Sequence, residues 1–251
     1  QMIYNRHAHI YTIDSTDYDY GLSLIYYNDK QSLSFNSELY QSDALNLSLK
    51  KIFNLKLLNH TISLDYKRSR VPILINSYYS NHFRFDNDFN NIKIAKATYL
   101  VKHKNFSFIS DLIHYSDYIY LNQDSYYQQY QNAIIKWYNK LTINLNWNRF
   151  HTTQTMEYQY ADNTSILRFP EFNYNTSLWF ESNLFGDNLN TQIGADMNYF
   201  TSYYANAYNP ALAKFYLQDN QLIGDVPLIS VFLKLKVHNM SIAMHYRNIT
   251  S

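Results

Sequence analysis

Cysteine is absent from the 251-residue sequence, and glycine and proline occur only four times each. The missing cysteines exclude a disulfide scaffold, thiolate zinc sites and a cysteine nucleophile. With glycine only at positions 21, 186, 194 and 224, neither a glycine-rich phosphate loop nor a GxSxG nucleophile elbow can form. The sequence therefore argues against nucleotide-binding and hydrolase folds, and we expect a protein that is not an enzyme.

The chain also lacks a charge bias and a long apolar run. Its 21 Lys and Arg residues balance 20 Asp and Glu, for a net charge of +1, so we expect no nucleic-acid partner. No segment approaches the roughly 18 to 20 consecutive apolar residues that a transmembrane helix needs. Neither a basic start nor an apolar signal segment follows Gln1. An exported protein with this sequence is expected to have lost its signal or to continue upstream.

Aromatic residues, in contrast, are abundant, with 27 Tyr and 15 Phe. Both favour strands, and Tyr concentrates where an apolar surface meets water. Pairs of tyrosines stand at 26–27, 78–79, 126–127 and 203–204, each close to the point where an alternating run gives way to a polar stretch. We expect the tyrosines to form interfacial girdles.

Apolar and polar residues alternate along much of the chain, which predicts half-exposed strands. The alternating runs lie at 33–39, 45–49, 62–67, 143–147, 156–160, 177–184, 192–199, 231–237 and 242–246. Two other segments, 126–138 and 210–218, have helix-like features but are ambiguous. The alternation is weakest at 6–20 and 92–115, where both faces carry apolar residues.

The hairpin formed by 177–184 and 192–199 is the most informative, because each arm alternates for about ten residues. Soluble strands usually have five or six residues, whereas about ten tilted residues span a bilayer. Some links are short, at 186–188 and 238–240, and others are long and polar, at 80–91 and 201–227. Short turns and long loops are typical of outer-membrane barrels.

A soluble sheet must cover its apolar face with a second apolar layer, and the sequence offers little that could form one. Lipid can supply that layer, but an open sheet edge inside a bilayer leaves amides unsatisfied, so the strands must close. The sequence predicts an all-β fold, an antiparallel transmembrane β-barrel made of a meander of hairpins. Residues 1–251 form a single outer-membrane β-barrel domain on this interpretation.

The later part of the chain also resembles a known family, the putative porins of Bacteroidota outer membranes. The segments that carry the resemblance, which together cover most of residues 76–249, are YYSNHFRFDNDF (78–89), YQYADNTSILRFPEF (158–172), SLWFESNLF (177–185), IGADMNYFTSYYANAYNPALAKFYLQ (193–218) and GDVPLISVFLKLKV (224–237). The run from Leu167 to Tyr216 is the most specific part. The resemblance implies a large barrel in the cell outer membrane that passes small solutes without a cofactor, and it brings no defined solute or set of binding residues.

One departure from that family concerns the end of the chain. Such barrels usually end in a strand with a terminal aromatic that the barrel assembly machinery recognises, whereas this chain ends in Arg247-Asn248-Ile249-Thr250-Ser251. We therefore expect the chain to be a fragment that lacks at least the closing strand or strands.

The polar parity of the strands contains the candidate pore-lining residues, and no catalytic residue is assigned. These candidates are Lys136, Glu181, Asn183, Gln192, Asp196, Lys234, Lys236 and Arg247. Leu233, Leu235, Phe180 and Ile193 are expected to face acyl chains instead. Because the lumen carries both signs of charge, weak ion selectivity is expected.

Two clusters contain residue types that bind metal ions. His7 and His9 share a strand face but lack an evident third ligand. The acidic segment 86–88, with Asp111 and Asp117 elsewhere, lacks the ligand spacing of a calcium loop. Both are better interpreted as ordinary surface or lumen residues, so no metal is expected.

The leading hypothesis is an outer-membrane, porin-like channel for passive or semi-selective diffusion of small solutes. The alternative is a non-conducting barrel subunit of a surface export or adhesion assembly, and a third is a soluble secreted β protein. The partners expected for the first two are the lipid bilayer, small solutes and the barrel assembly machinery, and homo-oligomerisation stays open.

Overall fold

A computed structural model of the chain describes residues 2–13, 15–28, 31–40, 44–80, 83–186 and 188–249. Its main element is one antiparallel sheet of 13 strands, in which each strand pairs with the next one in sequence order within the sheet. The strands are β1 (Met2–Ile13), β2 (Ser15–Asn28), β3 (Gln31–Tyr40), β4 (Leu45–Leu55), β5 (Leu58–Ser69), β8 (Ile92–Lys102), β9 (Phe106–Ser116), β12 (Ile134–Trp147), β13 (Phe150–Ala161), β14 (Phe172–Leu184), β15 (Leu189–Phe200), β20 (Leu228–Val237) and β21 (Met240–Tyr246).

The remaining elements are short and lie in the connections. They are α1 (Ile73–Asn76), β6 (Ser77–Tyr79), β7 (Arg84–Asp86), β10 (Tyr118–Leu121), β11 (Tyr127–Tyr130), β16 (Tyr203–Tyr204), β17 (Ala207–Asn209), β18 (Lys214–Tyr216) and β19 (Leu222–Ile223). The ambiguous segments 126–138 and 210–218 are therefore not helical: the first holds β11 and the start of β12, and the second holds a turn and β18. No helix in the described ranges is long and apolar enough to cross a membrane.

The predicted all-β antiparallel meander is confirmed. Apart from β21, which has 7 residues, every strand of the large sheet has 10 to 14 residues. Strands of this length can cross a bilayer when tilted. Within the described chain, β1 and β21 are the two edges of the sheet and do not pair with each other.

The two ends of the sheet differ in their connections. At one end, called the short-turn end, β4–β5, β8–β9, β12–β13, β14–β15 and β20–β21 are joined by links of two to four residues. Residues in the left-handed region make several of these turns, among them Lys56, Asn148, Phe185 and His238, with φ between 48 and 55°. At the other end, called the long-loop end, the connections 70–91, 117–133, 162–171 and 201–227 are long. The predicted asymmetry of turns and loops is thus present.

The four long connections pack together into a structure that we call the loop cap. With the exception of Phe232, the buried apolar side chains of the described residues lie in it or at the strand ends beside it. They are Val71, Phe85, Leu121, Ile134, Ala161, Ile166 and Leu217. The chain thus has its only conventional hydrophobic core, among the described residues, at the long-loop end.

Candidate functional site

Strand pairing divides the large sheet into two chemically different faces. The polar face contains Glu181, Gln192 and Lys234, which pair directly across β14, β15 and β20. The apolar face contains their neighbours Phe180, Ile193 and Leu233, which pair in the same way. Since paired residues point to the same side of a sheet, the predicted division between polar and apolar parities holds across these strands.

The apolar face is exposed rather than covered by protein. Its exposed large side chains include Ile62, Leu64, Leu112, Leu145, Leu178, Ile193 and Met244, which are 42–56% accessible. Some polar groups on this face are satisfied by neighbours on the same face: Gln154 accepts a hydrogen bond from Tyr174 and donates one of 2.7 Å to Thr152. A face of this kind suits hydrocarbon, where unpaired polar groups are costly.

Aromatic side chains are concentrated near the two ends of the strands on the apolar face. Trp137, Tyr158, Tyr160, Tyr174 and Tyr199 lie toward the long-loop end, and Phe53, Phe106, Trp147 and Phe150 lie toward the short-turn end. Such girdles mark the interfaces of a membrane protein.

The predicted source of the girdles was partly wrong. The pairs at 78–79, 126–127 and 203–204 lie in the loop cap, where Tyr78 stacks on Phe85 and Tyr127 contacts the same ring at 5.4 Å. Tyr78 and Tyr127 therefore help to build a core between loops. The girdle tyrosines named above lie instead at single positions within β13, β14 and β15.

Carboxylates organise the polar face. Asp65 accepts hydrogen bonds from Ser48 and Ser63 at 2.6 and 3.0 Å. Asp111, which is only 6% exposed, accepts one of 2.6 Å from Thr98 and forms an ion pair of 2.9 Å with Lys96. Because each carboxylate links neighbouring strands, these groups stabilise the large sheet, which we call the wall, as well as giving its polar face charge.

Two further carboxylates extend this pattern toward the end of the chain. Glu157 forms an ion pair of 2.8 Å with Lys140 and accepts a hydrogen bond of 3.3 Å from Asn173. Glu181 accepts hydrogen bonds from Asn190 and Gln192 at 2.9 and 3.1 Å. Fixed by several donors, such groups give the face an ordered pattern of negative charge.

Five of the eight sequence-based candidates line two depressions on the polar face. The first, of about 490 Å³, lies near the short-turn end and is lined by Glu181, Asn188, Asn190, Gln192, Lys236 and His238. Asn183 adjoins it, because Asn190 donates to its side chain at 2.8 Å. The second, of about 700 Å³, includes Asp196 and Arg247 among several amides and hydroxyls.

A row of rings separates these depressions. His151, Trp179, Gly194, Phe232 and His245 pair in turn across β13, β14, β15, β20 and β21. His151 stacks on Trp179 at 5.3 Å and Phe232 stacks on His245 at 5.8 Å. The candidate Lys234 lies beside this row, with its ammonium 4.8 Å from the Phe232 ring centroid.

Gly194 makes the row compatible with the sheet. A Cβ at this position would lie 2.5 Å from the Leu178 carbonyl oxygen, 2.6 Å from the Phe232 ring and 2.7 Å from the Trp179 Cβ. The absence of a side chain therefore lets the large rings of β14 and β20 approach each other over β15.

Lys136 is the candidate that lies apart from the others. It is on the polar face of β12, at the long-loop end, and its ammonium is 4.2 Å from the Phe169 ring centroid. Because Phe169 belongs to the connection 162–171, this connection bends over the polar face. Lys136 therefore contacts the loop cap rather than either depression.

Sequence reasoning missed the carboxylates Asp65, Asp111 and Glu157 and the row of rings. Alternation placed the first and third on a polar parity, but only strand register shows which donors each meets. Asp111 lies in FSFISDLIH, where its neighbours Ile109 and Ile113 share its face and obscure the pattern.

The described residues contain no group of three or more His, Asp and Glu side chains placed to hold a metal ion. In the segment 86–88, Asn87 instead donates hydrogen bonds to the carbonyls of Asn76 and Ile75, at 2.6 and 3.2 Å. The side chains of His7 and His9 lie outside the described part of the structure.

Four loops of the cap are joined through a small number of polar side chains. Arg168, whose side chain is 7% exposed, forms an ion pair of 2.6 Å with Asp219 and donates to the carbonyls of Ser165 and Gln218. Gln123 donates to the same Asp219 carboxylate. Three connections, 117–133, 162–171 and 201–227, thus meet at one ion pair.

The fourth connection is tied in by Gln129. Its amide donates to the carbonyls of Asn90 and Asp117 at 2.8 and 2.9 Å, and its oxygen accepts from the Asn90 amide at 2.9 Å. The loop cap is therefore a folded unit with its own polar links and core.

A long antiparallel meander with one apolar exposed face, one polar face, aromatic girdles, and turns and loops segregated to opposite ends has the architecture of an outer-membrane β-barrel wall. The chain belongs to the family described as "Putative porin", whose model matches residues 7–251. The predicted family is thereby confirmed.

A solved structure shows the same fold. The chain is similar to the FrpB iron transporter from Neisseria meningitidis (F3-3 variant), with a TM-score of 0.60 and 11% sequence identity. The match covers 93% of this chain and 40% of the transporter chain, so the chain spans less than half the length of that protein. No curated protein sequence matches the chain.

Proposed function

We propose that the chain forms part of the wall of a porin-like channel in the cell outer membrane, through which small polar solutes diffuse passively or semi-selectively. The single observation that carries the proposal is the polar face of the described strands, with fixed charges of both signs, behind an exposed apolar face. Such a wall needs hydrocarbon on one side and water on the other. The proposal involves no catalytic step and no cofactor, and insertion by the barrel assembly machinery is part of it.

The depressions on the polar face suggest how solutes would meet the wall. One carries Glu181 and Lys236 beside several amides, and the other carries Asp196 and Arg247. A solute with hydrogen-bonding groups would find donors and acceptors in both, while neither sign of charge dominates. Weak ion selectivity follows from this balance.

Single-channel recording of the full-length protein in planar bilayers tests the proposal. We expect ohmic current steps that scale with salt concentration. Charge reversal at Lys234 and Lys236, as Lys234→Glu with Lys236→Glu, should shift the reversal potential toward cations. Lys56→Glu with Lys104→Glu, at exposed positions in the short turns 56–57 and 103–105, reverses the same number of charges, is the matched control and should shift it less. An equal shift in both variants would place the conducting path elsewhere.

The second candidate function is a non-conducting barrel subunit of a surface export or adhesion assembly. The folded loop cap favours it, because Phe169 bends over the polar face and contacts Lys136. A correctly folded protein that passes no current would agree with this alternative. Recording from Arg168→Ala then separates two cases: current after loosening of the cap indicates a gated channel, and continued silence supports the non-conducting subunit.

A further inference from the structure

Charge is segregated along six neighbouring strands of the sheet, β4, β5, β8, β9, β12 and β13. At their short-turn ends, the segments 50–61, 100–107 and 144–152 contain six Lys and Arg residues and no Asp or Glu. The six cations are Lys50, Lys51, Lys56, Lys102, Lys104 and Arg149. The carboxylates of the same strands lie at mid-strand or nearer the long-loop end. They are Asp65, Asp111 and Glu157.

Four of these cations are placed where they can reach lipid. Lys51 pairs with Ile62 and therefore lies on the apolar face of β4. Lys56, Lys104 and Arg149 lie in the turns themselves. All four are exposed. We call these four residues the basic turn belt.

The belt is not neutralised by neighbouring side chains. None of its four residues forms an ion pair within the part of the chain that the structure describes. The Lys51 ammonium lies instead 5.8 Å from the centroid of the Phe53 ring. At the other end of β8, in contrast, Lys93 and Lys96 are 3.1 and 2.9 Å from carboxylates. The positive charge of the belt is therefore available to an external anion.

Apolar side chains beside the belt place it at the membrane interface. Leu57 follows Lys56 in its turn and is 79% exposed, and Trp147 lies two residues before Arg149 and is 81% exposed. Both would meet water if the turns extended into the aqueous phase. Tryptophan is enriched at membrane interfaces, and long basic side chains hold their charge at that level while their stems cover apolar surface. The belt thus lies at the depth of lipid headgroups.

The turns that carry the belt follow one another along the rim of the sheet. Successive short turns lie two strands apart, which is about 10 Å at ~4.8 Å per strand. The cations are therefore spread along the rim instead of meeting at one point. Such a row is complementary to the phosphates of several lipids side by side, and each basic residue near a membrane surface favours lipids of net negative charge.

We propose that the basic turn belt binds anionic phospholipids of the leaflet that faces the short-turn end, with their phosphates at Lys51, Lys56, Lys104 and Arg149 and their acyl chains on the apolar face. Binding takes place on the outside and rim of the wall, so it does not depend on whether the lumen conducts. A failure of this proposal and a failure of the channel proposal are therefore distinguishable.

Native mass spectrometry of the detergent-purified full-length protein tests the proposal. The probes are phosphatidylglycerol and phosphatidylcholine with identical acyl chains, which differ in net charge. The wild-type protein should retain phosphatidylglycerol in preference. Lys56→Gln with Lys104→Gln should reduce that preference about fivefold while retention of phosphatidylcholine stays unchanged.

The matched control is Arg84→Gln with Lys214→Gln, at exposed positions of β7 and β18 in the loop cap. It removes the same number of positive charges away from the belt and should leave the preference unchanged. Circular dichroism confirms that each variant keeps its sheet.

Three results would overturn the proposal. The first is equal retention of the two lipids by the wild-type protein. The second is an equal loss of preference in both double variants, because retention would then follow the net charge of the protein and not the belt. The third is displacement of phosphatidylglycerol by an equal concentration of glycerol 3-phosphate, which would show that the belt binds free anions from water.

Discussion

The wall and the loop cap are stabilised in opposite ways, although one chain forms both. In the wall, each strand contacts mainly the strands beside it, and side chains such as Leu178 and Ile193 stay 55 and 56% exposed. In the cap, Leu121 and Leu217 are buried, and Ile134, at the strand end beside it, is fully buried. The wall therefore needs lipid to cover its apolar side chains, whereas the cap buries its apolar side chains within itself.

Polar contacts follow the same division. Wall carboxylates such as Asp111 bind neighbours on adjacent strands, so each contact reinforces a pairing that the backbone ladder already makes. In the cap, Arg168 joins segments that no ladder connects. Losing one polar group should therefore matter more to the cap than to the wall.

Removing the central cation of the cap is expected to have the largest effect. Arg168→Ala leaves the Gln218 and Ser165 carbonyls without this donor and the Asp219 carboxylate without its ion pair. We expect a loss of about 2–3 kcal/mol from local cap stability, below the ~3–5 kcal/mol for breaking a fully buried ion pair, because the Asp219 side chain is 51% exposed. Hydrogen exchange should rise in 117–133, 162–171 and 201–227.

The control for that change is Arg149→Ala, at an exposed position in the turn between β12 and β13. It should leave exchange in the cap unaltered. If Arg168→Ala raised exchange in β12 to β15 as much as in the cap, the two regions would not be separate units.

The wall has its own sensitive position at Gly194. Gly194→Ala places a methyl group against the Leu178 carbonyl and the Phe232 ring, and overpacking of this kind costs about 1–3 kcal/mol. Unfolding in denaturant should therefore begin at a lower concentration, while exchange in the loop cap stays unchanged.

A double variant tests the cause of that loss. Phe232→Ala removes the ring that the new methyl group would meet, so Gly194→Ala should cost less in the Phe232→Ala background than in the wild type. Strictly additive losses would mean that the Leu178 backbone, rather than the ring, sets the requirement for glycine.

The sequence predicts the wall better than the cap, for a physical reason. The alternation of apolar and polar residues indicates which side of a strand faces lipid and which faces water. The runs at 177–184 and 192–199 therefore predict β14 and β15 directly. The candidates Glu181, Gln192, Lys234 and Lys236 fall on one face because parity alone decides it. No periodicity relates Arg168 to Asp219 or Gln129 to Asn90, and these contacts depend on how long connections fold against each other.

The helix-like spacing in 126–138 shows how this limit leaves a segment ambiguous. Tyr127, Ile134 and Trp137 are spaced as on a helix, yet Tyr127 packs on Phe85 in the cap and Ile134 begins a wall strand. Apolar residues with two different burial sites can mimic one helical face. Distinguishing them requires the tertiary contacts.

High pH offers a milder way to separate the two regions. Burial raises the pKa of the Tyr118 phenol, with a further contribution from Tyr115, and burial also raises the pKa of the Tyr127 phenol. The two neutral phenols contribute fully to the stability of the cap at a pH below about 10, the pKa of tyrosine in the unfolded chain. This contribution is lost as the pH rises through their higher pKa values in the folded protein. Protease sensitivity of the cap should therefore increase at alkaline pH before the wall strands are cleaved.

Tyr118→Phe with Tyr127→Phe keeps both rings and removes both ionisable hydroxyls. In this variant, the alkaline rise in cap cleavage should move to higher pH. An unchanged profile would show that other groups open the cap.

The smallest expected effect concerns the short turns, which contain few glycines. Lys56, in the link between β4 and β5, has a φ of 55°, a left-handed conformation that costs L-residues about 1 kcal/mol. Lys56→Gly should relieve this cost, partly offset by the greater backbone freedom of glycine in the unfolded chain. The net gain should be a few tenths of a kcal/mol, measured as a small rise in the denaturant midpoint.

Lys50→Gly, within β4, is the matched control and should lower that midpoint, because a strand interior gains nothing from left-handed freedom. If both variants lowered it equally, turn strain would contribute nothing to the wall, and strand pairing alone would set its stability.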